Sequence, residues 1–252
     1  MINHHVAAVS GGTSGIGHAV LETLLQAGVK VSFSGRRVDR IQQIAAKHNE
    51  ISHWVEGVAA DSVDENHVAQ IFDAAHRAFG EPPSAFVLCA GRGLPGSVTS
   101  SDAALWEELL RVNLLGVMRQ LRACATFYKE SYSPDSGGIR DIVVVGSTVG
   151  RSLSAGNPVY GATKFALHSL VESLRQELCG DGVRVSLIEP GFVKTEFQAT
   201  AGYDMKWFND IEHTQGPLLS PHEVAESICF VLKQPPHVHI DDIRIRPTRQ
   251  RV

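Results

Sequence analysis

The chain has 252 residues, of which 43% are hydrophobic, enough for one α/β domain with a sizeable core and no second domain. Its net charge is −4 and it carries no long basic face, which argues against nucleic acid as a partner. No apolar stretch reaches membrane length and no signal peptide opens the chain, so a soluble cytoplasmic protein that does not engage membranes is expected.

Strand-like runs near 5–10, 29–34, 52–58, 84–89, 139–146, 183–189 and 239–246 alternate with helical stretches, which predicts a seven-stranded parallel sheet. Sheets of this kind bind ligands at the carboxyl ends of their strands. The first run, HVAAVS, leads into Gly11-Gly12-Thr13-Ser14-Gly15-Ile16-Gly17, after which AVLETLLQAG has helical periodicity. This reads as strand, glycine turn and helix. The glycines let the backbone approach a pyrophosphate, and the helix N-terminus offers unpaired N–H groups and a positive dipole end. Residues Ser133 to Gly138 read as a turn-rich connection before the fifth strand.

Beyond the fifth run, Tyr160 follows Ser147 by thirteen residues and Lys164 follows Tyr160 by four. In a helix, positions four apart share a face, so the phenol and the ammonium point the same way. Carbonyl reduction leaves negative charge on oxygen and needs a proton as the hydride arrives, and Tyr160 is the candidate donor. A free phenol has a pKa of about 10, and a neighbouring cation favours the phenolate. At an effective dielectric of about 20, unit charges roughly 4 Å apart interact by about 4 kcal/mol, enough to move a pKa by about three units before desolvation opposes it. Ser147 would bind the carbonyl oxygen.

These motifs together resemble the short-chain dehydrogenase/reductase family over nearly the whole chain. SGGTSGIG matches the cofactor turn and YGATK the tyrosine-lysine signature. Asp61, Asn113 in RVNLLG, Ser147 after IVVVG, and Pro190-Gly191 with Thr195 in EPGFVKTE match further family positions. The resemblance implies a single Rossmann-type doubly wound α/β domain over residues 1–252, with a substrate lid insertion at about 192–217. It implies a catalytic set of Asn113, Ser147, Tyr160 and Lys164, with Asn113 holding a helix distortion and a water that links Lys164 to solvent. The chain departs from the family in Leu88-Cys89-Ala90-Gly91, which lacks the asparagine that commonly ties neighbouring strands. Ser10 replaces a usual threonine and Gly146 a frequent serine.

The family's NAD-selecting acid at the end of the second strand is replaced by Gly35, followed by Arg36 and Arg37. Two arginines can face a 2′-phosphate with charge-assisted bonds, so NADP is the expected cofactor. Arg37 is otherwise the solvated start of the next helix. By the resemblance, the cofactor lies against Gly11, Thr13, Ser14, Gly15, Ile16, Gly17, Arg36, Arg37, Asp61, Ala90, Gly91, Tyr160, Lys164, Pro190, Gly191, Val193 and Thr195. Asp61 has helix capping as its other reading.

Substrate specificity is expected from Arg92, Leu94, Arg151, Leu153, Asn157, Phe192 and the aromatic insertion around Tyr203, Met205, Trp207 and Phe208. An apolar or aromatic substrate suits these residues, although the aromatics could instead pack the lid on the body or on a neighbouring subunit. Arg92 and Arg151 either meet a carboxylate or are solvated. The ending PPHVHIDDIRIRPTRQ is similar to a branch containing 3-hydroxy acid dehydrogenases and clavulanate-pathway aldehyde reductases, which makes a small 3-hydroxy acid the alternative substrate. Arg244, Arg246, Arg249 and Arg251 read as a structural terminus rather than an anion site.

Cys89, Cys124, Cys179 and Cys229 lack paired metal-ligand spacing and read as reduced core thiols. His4-His5 and His237-x-His239 lack a suitable partner, so no metal is expected. Family members commonly form dimers or tetramers through helix pairs, for which helices near 102–129 and 158–179 are the candidates here. The expected activity is NADPH-dependent reduction of a ketone or aldehyde. A non-catalytic dinucleotide-binding scaffold, or an isomerase or dehydratase, fits the full residue set less well.

Overall fold

The computed structural model describes Ile2, residues 4–131 and residues 138–251. The connection read at Ser133 to Gly138 lies outside the described residues except at its last position. Seven parallel strands, β1 (Val6–Ser10), β2 (Lys30–Gly35), β3 (Val55–Ala59), β4 (Ala85–Leu88), β5 (Arg140–Val145), β6 (Val183–Pro190) and β7 (Asp242–Ile245), form one sheet in the order β3-β2-β1-β4-β5-β6-β7. Strand order reverses between the neighbours β1 and β4, the point at which such sheets open a ligand crevice.

Strands β1, β4 and β6 are buried along their whole length, which explains their continuous apolar runs: helices cover both faces, so neither set of alternate side chains meets water. Ala7 and Val9 face one side with Phe33, against α1 (Gly15–Gln26), α2 (Val38–Lys47) and α9 (Pro221–Leu232). Ala8 faces the other with Phe86 and Ile142, against α3 (His67–Phe79), α5 (Val117–Ser131) and α6 (Pro158–Leu178). There Phe72 meets Phe86 and Phe127 edge-on at 5.6 and 5.1 Å between ring centres.

Two expected strands are shorter than their apolar runs. Residues Asn49–Trp54 form a 3-10 segment, and pairing with β2 begins only at Val31 and Val55; Trp54 packs against the core from that turn rather than from the sheet. At the other edge, β7 covers only Asp242–Ile245, because Ser186 Oγ and the backbone of Val185 are bonded to Ile240 O and His239 Nε2 instead. The helix expected near 102–129 is broken into a 3-10 turn (Ala103–Leu105), α4 (Trp106–Leu110), a π turn (Arg111–Gly116) and α5.

The amino ends of the central strands are closed by a buried ion cluster. Arg184 donates to both oxygens of Asp141 at 2.7 and 2.6 Å, and His4 Nε2 lies 2.6 Å from the same carboxylate, with Ser84 Oγ 2.8 Å from His4 Nδ1. The four cysteines are free; Cys124 and Cys229 are buried, Cys89 is half-buried, and Cys179 is exposed, contrary to the core position expected for it.

Candidate active site

At the carboxyl ends of the strands lies a cleft of about 1610 Å³. One end is built by the glycine turn. Gly15 sits at φ +54, and a Cβ at Gly17 would collide with the Gly11 carbonyl, so the backbone closes tightly before α1 begins. Ser14 caps α1 without a side-chain hydrogen bond, and no acidic residue stands in the first turn, so the N–H groups and positive end of the helix are available to an anion. Gly11, Ser14, Gly15, Ile16 and Gly17 line the cleft, and Thr195 Cγ2 would stand 3.5 Å from a Cβ at Gly15, which places Thr195 over the turn. Thr13 is buried behind it, where its side chain fills the space a Cβ at Gly35 would need.

Arg36 and Asp61 line the same end of the cleft. Asp61 accepts from Val63 N at 3.3 Å, the contact of a local cap. Arg37 does not line the cleft; it precedes α2 and lies 3.6 Å from Glu196. Glu108 also lines this end. Its carboxyl is held below the usual range by hydrogen bonds from Arg111, with Arg92 and Arg36 adding to the effect. Arg92 therefore shares the surroundings of Arg36 as well as bordering the cleft.

The other end carries the hydroxyl, phenol and ammonium. Tyr160 opens α6 beside Pro158, Lys164 follows one turn later, and Ser147 leaves β5 just before a 3-10 turn at Thr148–Gly150. Ser147 and Tyr160 both line the cleft, and the Ser147 hydroxyl is close enough to the phenol to act on its pKa. Ser147 Oγ also accepts from Val149 N at 3.4 Å. Phe197, in α7 (Phe197–Thr200), packs on the Tyr160 ring with centroids 6.0 Å apart.

The expected lowering of the Tyr160 pKa by Lys164 is not what this geometry gives. Burial, aided by the nearby Tyr203 phenol, raises the Tyr160 pKa above its ordinary value, against the effect of the Ser147 hydroxyl. Lys164 is itself buried, which pushes its pKa down to about 8 against the opposing effect of Cys89. Its ammonium donates to the Val145 carbonyl at 3.2 Å and sits 5.8 Å from the centre of the Tyr160 ring. Cys89, half-buried in the same wall, has its thiol pushed up to about 12 by desolvation and stays protonated.

Asn113 does not line the cleft. It occupies the π turn, buried, where its Oδ1 accepts from Arg92 N at 2.8 Å and its Nδ2 donates to Arg92 O at 2.7 Å and to Thr163 Oγ1 at 3.2 Å. The extra residue of the π turn lets this amide face sideways, tying the loop after β4 to α6. Ala90 and Gly91, also in that loop, line the cleft.

The wall opposite comes from residues after β6. Pro190, Gly191, Phe192 and Val193 line the cleft, and Phe192 packs against Trp207 and Phe208 of α8 (Met205–Gln215), with centroids 6.2 Å apart in each pair. Asp204 caps α8 by accepting from Lys206 N and Trp207 N. Leu153, Asn157, Tyr203 and Trp207 line the cleft, and Asn157 Nδ2 donates to Tyr203 Oη at 3.4 Å. Leu94 is buried in a small cluster with Leu109 and Tyr160 rather than lining the cleft.

Two readings change. Arg151 does not line the cleft: its guanidinium, exposed on one side, grips Glu189 at 2.7 and 2.8 Å and Asp242 at 2.8 Å, so its charge is taken up by these two carboxylates. The carboxyl end, in contrast, reaches the site. Arg249, Gln250 and Arg251 line the cleft, and Gln250 Oε1 accepts from Phe192 N at 2.9 Å. Nothing in the spacing of the terminal arginines signalled this, because an irregular tail has no periodicity to read. Among the described residues no cluster of His, Cys, Asp or Glu suits a metal ion, and no helix is long and apolar enough to cross a membrane.

The glycine turn, the free N-terminus of α1 and Arg36 fit a dinucleotide phosphate, so the residues present suit a nicotinamide cofactor. Comparison with known proteins agrees. The family model for short chain dehydrogenases matches residues 5–206. An uncharacterised oxidoreductase of Staphylococcus saprophyticus is 30% identical over 243 residues, covering 96% of this chain and 97% of that protein. The closed form of a serine dehydrogenase complexed with NADP+ superposes with a TM-score of 0.84 at 27% identity, covering 98% of this chain and 96% of the other. A 3-ketoacyl-(acyl-carrier-protein) reductase from Brucella melitensis complexed with NADH gives 0.84 at 25% identity, with 99% of both chains covered. With the strand order, the glycine turn and the serine-tyrosine-lysine constellation in one cleft, the chain belongs to the short-chain dehydrogenase family of oxidoreductases.

Proposed function

We propose that the protein reduces a ketone or aldehyde to an alcohol with NADPH. The observation that carries this reading is the Tyr160 phenol, held protonated by burial beside Ser147 at one end of a cleft whose other end holds the glycine turn and Arg36. A bound nicotinamide would supply the hydride. Ser147 Oγ then binds the carbonyl oxygen, and Tyr160 gives its proton to that oxygen as charge develops. Lys164 lies one turn along α6 and would hold the ribose of the nicotinamide half and favour the phenolate left after proton transfer. Asn113 fixes the loop carrying Ala90 and Gly91 against α6.

Arg36 would receive the 2′-phosphate of NADPH, since Thr13 leaves no room at Gly35 for an acid that could bind the free ribose hydroxyls. The segment 192–217 would act as a substrate lid, with Phe192 and Trp207 presenting an apolar face to the substrate. Exposed Leu110, Leu115, Met118 and Phe165 give the α4–α5 and α6 surfaces the character of a homodimer or homotetramer contact.

A second reading is favoured by the carboxyl end. Arg249 and Arg251 in the cleft could anchor a carboxylate, which suits a small 3-hydroxy acid and the branch containing serine dehydrogenase. Consumption of NADPH, followed by its ultraviolet absorbance, against bulky ketones, semialdehydes and small 3-oxo acids decides between the two. Turnover confined to the acids selects the second. Equal rates with NADH remove the argument from Arg36, and no turnover with any carbonyl removes both readings.

A further inference from the structure

Helix α6 continues its functional stripe one step further than the tyrosine-lysine pair. Tyr160, Lys164 and His168 stand four residues apart and share one face. The His168 imidazole lies under the segment that carries Ser147. Ser147 N donates to His168 Nε2 at 3.4 Å. The segment fits around the ring: a Cβ at either Gly146 or Gly150 would stand 2.5 Å from His168 Nε2, so only glycine is accommodated on both sides of Ser147.

The donor direction fixes the tautomer. Nε2 accepts, so the ring proton is on Nδ1, which is buried without a hydrogen-bond partner and has Glu189 Oε2 as its neighbouring carboxylate at 4.0 Å. Glu189 is fully buried and takes the bidentate grip of Arg151, which closes the 3-10 turn following Ser147 and reaches Asp242 as well. The Ser147 segment is thus held at its start by His168 and at its end by Arg151, whose guanidinium is bound to Glu189. Burial pushes the His168 pKa down to about 4, with Lys164 and Arg151 acting in the same direction, so the ring is neutral at working pH and Nε2 keeps its lone pair.

We propose that His168 is a positioning residue, whose bare Nε2, seated between Gly146 and Gly150, holds the Ser147 backbone so that the hydroxyl meets the carbonyl oxygen. This rests on the reading of Ser147 as the group that binds that oxygen. It assigns work to a side chain that touches neither cofactor nor substrate, and it gives Gly146, Gly150, Glu189 and Arg151 a shared purpose.

The test compares His168→Gln, whose side-chain oxygen can still accept the Ser147 N–H, with His168→Leu, which cannot. The Leu variant should lose about ten- to a hundredfold in kcat with the KM for NADPH unchanged, and the Gln variant should recover most of that loss. Equal kcat in the two variants overturns the proposal, since a side chain that only fills space does not distinguish an acceptor from a methyl group. Nitrogen NMR of the wild-type imidazole gives a reading without substrate and without either variant: a proton on Nδ1 is expected, and a proton on Nε2 overturns it. If no carbonyl is turned over, the proposed function fails by itself. The wild-type tautomer and the Ser147 amide shift, which should move in the Leu variant and not in the Gln variant, still decide whether His168 holds Ser147.

Discussion

Lys164 lies one helical turn beyond Tyr160, yet its ammonium donates to the Val145 carbonyl at 3.2 Å and not to the phenol. The two groups share a wall of the cleft, and burial acts on them in opposite directions: it raises the pKa of the phenol and lowers that of the ammonium. The site therefore holds a proton on Tyr160 more firmly than spacing alone suggests, which suits an acid that protonates a nascent alkoxide.

Replacing Tyr160 with Phe removes that proton while preserving the ring against Phe197. A fall in kcat of about a hundred- to ten-thousandfold is expected, the range for loss of a general acid. NADPH affinity, measured by fluorescence titration, should remain within about threefold of the parent, because the phenol hydroxyl is one contact among many along the cofactor.

Lys164→Met should separate activity from stability. A lysine whose folded pKa is about 8 against an ordinary 10.5 favours folding least when charged in both states, below pH 8. The unfolded chain binds the extra proton between pH 8 and 10.5, so this residue's contribution to stability rises with pH across that window. At pH 7 the cofactor-free Met variant is expected to be more stable by on the order of 3 kcal/mol, with no turnover. The gain should shrink as pH climbs toward 10.5, which urea titrations at several pH values would read out.

Arg36→Ala bears on cofactor choice. Loss of a charge-assisted contact to a phosphate should raise the KM for NADPH by about ten- to a hundredfold. The KM for NADH should be nearly unchanged. Parallel losses for both cofactors would show that Arg36 shapes the loop and does not read the phosphate. The same substitution at Arg37, which pairs with Glu196, should leave the ratio intact.

Far from the cleft, Asp141→Ala should destabilise the protein by about 3–5 kcal/mol, since it leaves Arg184 buried without its carboxylate. Chemical denaturation measures this directly. Steady-state constants of the folded fraction should not change, because the cluster sits at the opposite ends of the strands from the site.

The sheet was readable because strands buried on both faces leave unbroken apolar runs, and the motifs at their carboxyl ends followed. The π turn at Asn113 had no periodic signature of its own and was expected only through family resemblance. Trp54 belonged to an apolar run without belonging to the strand, since apolarity reports burial and not pairing. Arg151 was misread because its partners, Glu189 and Asp242, lie 38 and 91 residues away. Gly146 registered only as a departure from the family's frequent serine; the ring of His168 that occupies the space explains it. The tyrosine-lysine spacing gave a shared face, but the sign of the Tyr160 shift depends on burial, which spacing does not encode.

The two ends of the chain stand in opposite relation to the cleft. His4 is locked into the ion cluster beneath the sheet, while Arg249, Gln250 and Arg251 form part of the cleft itself. An affinity tag fused at the carboxyl end would leave directly from the wall of the cleft, so that a low measured rate would report the tag as well as the site. A tag at the amino end emerges on the far side of the molecule. For the assays above, the choice of fusion end is already part of the enzymology.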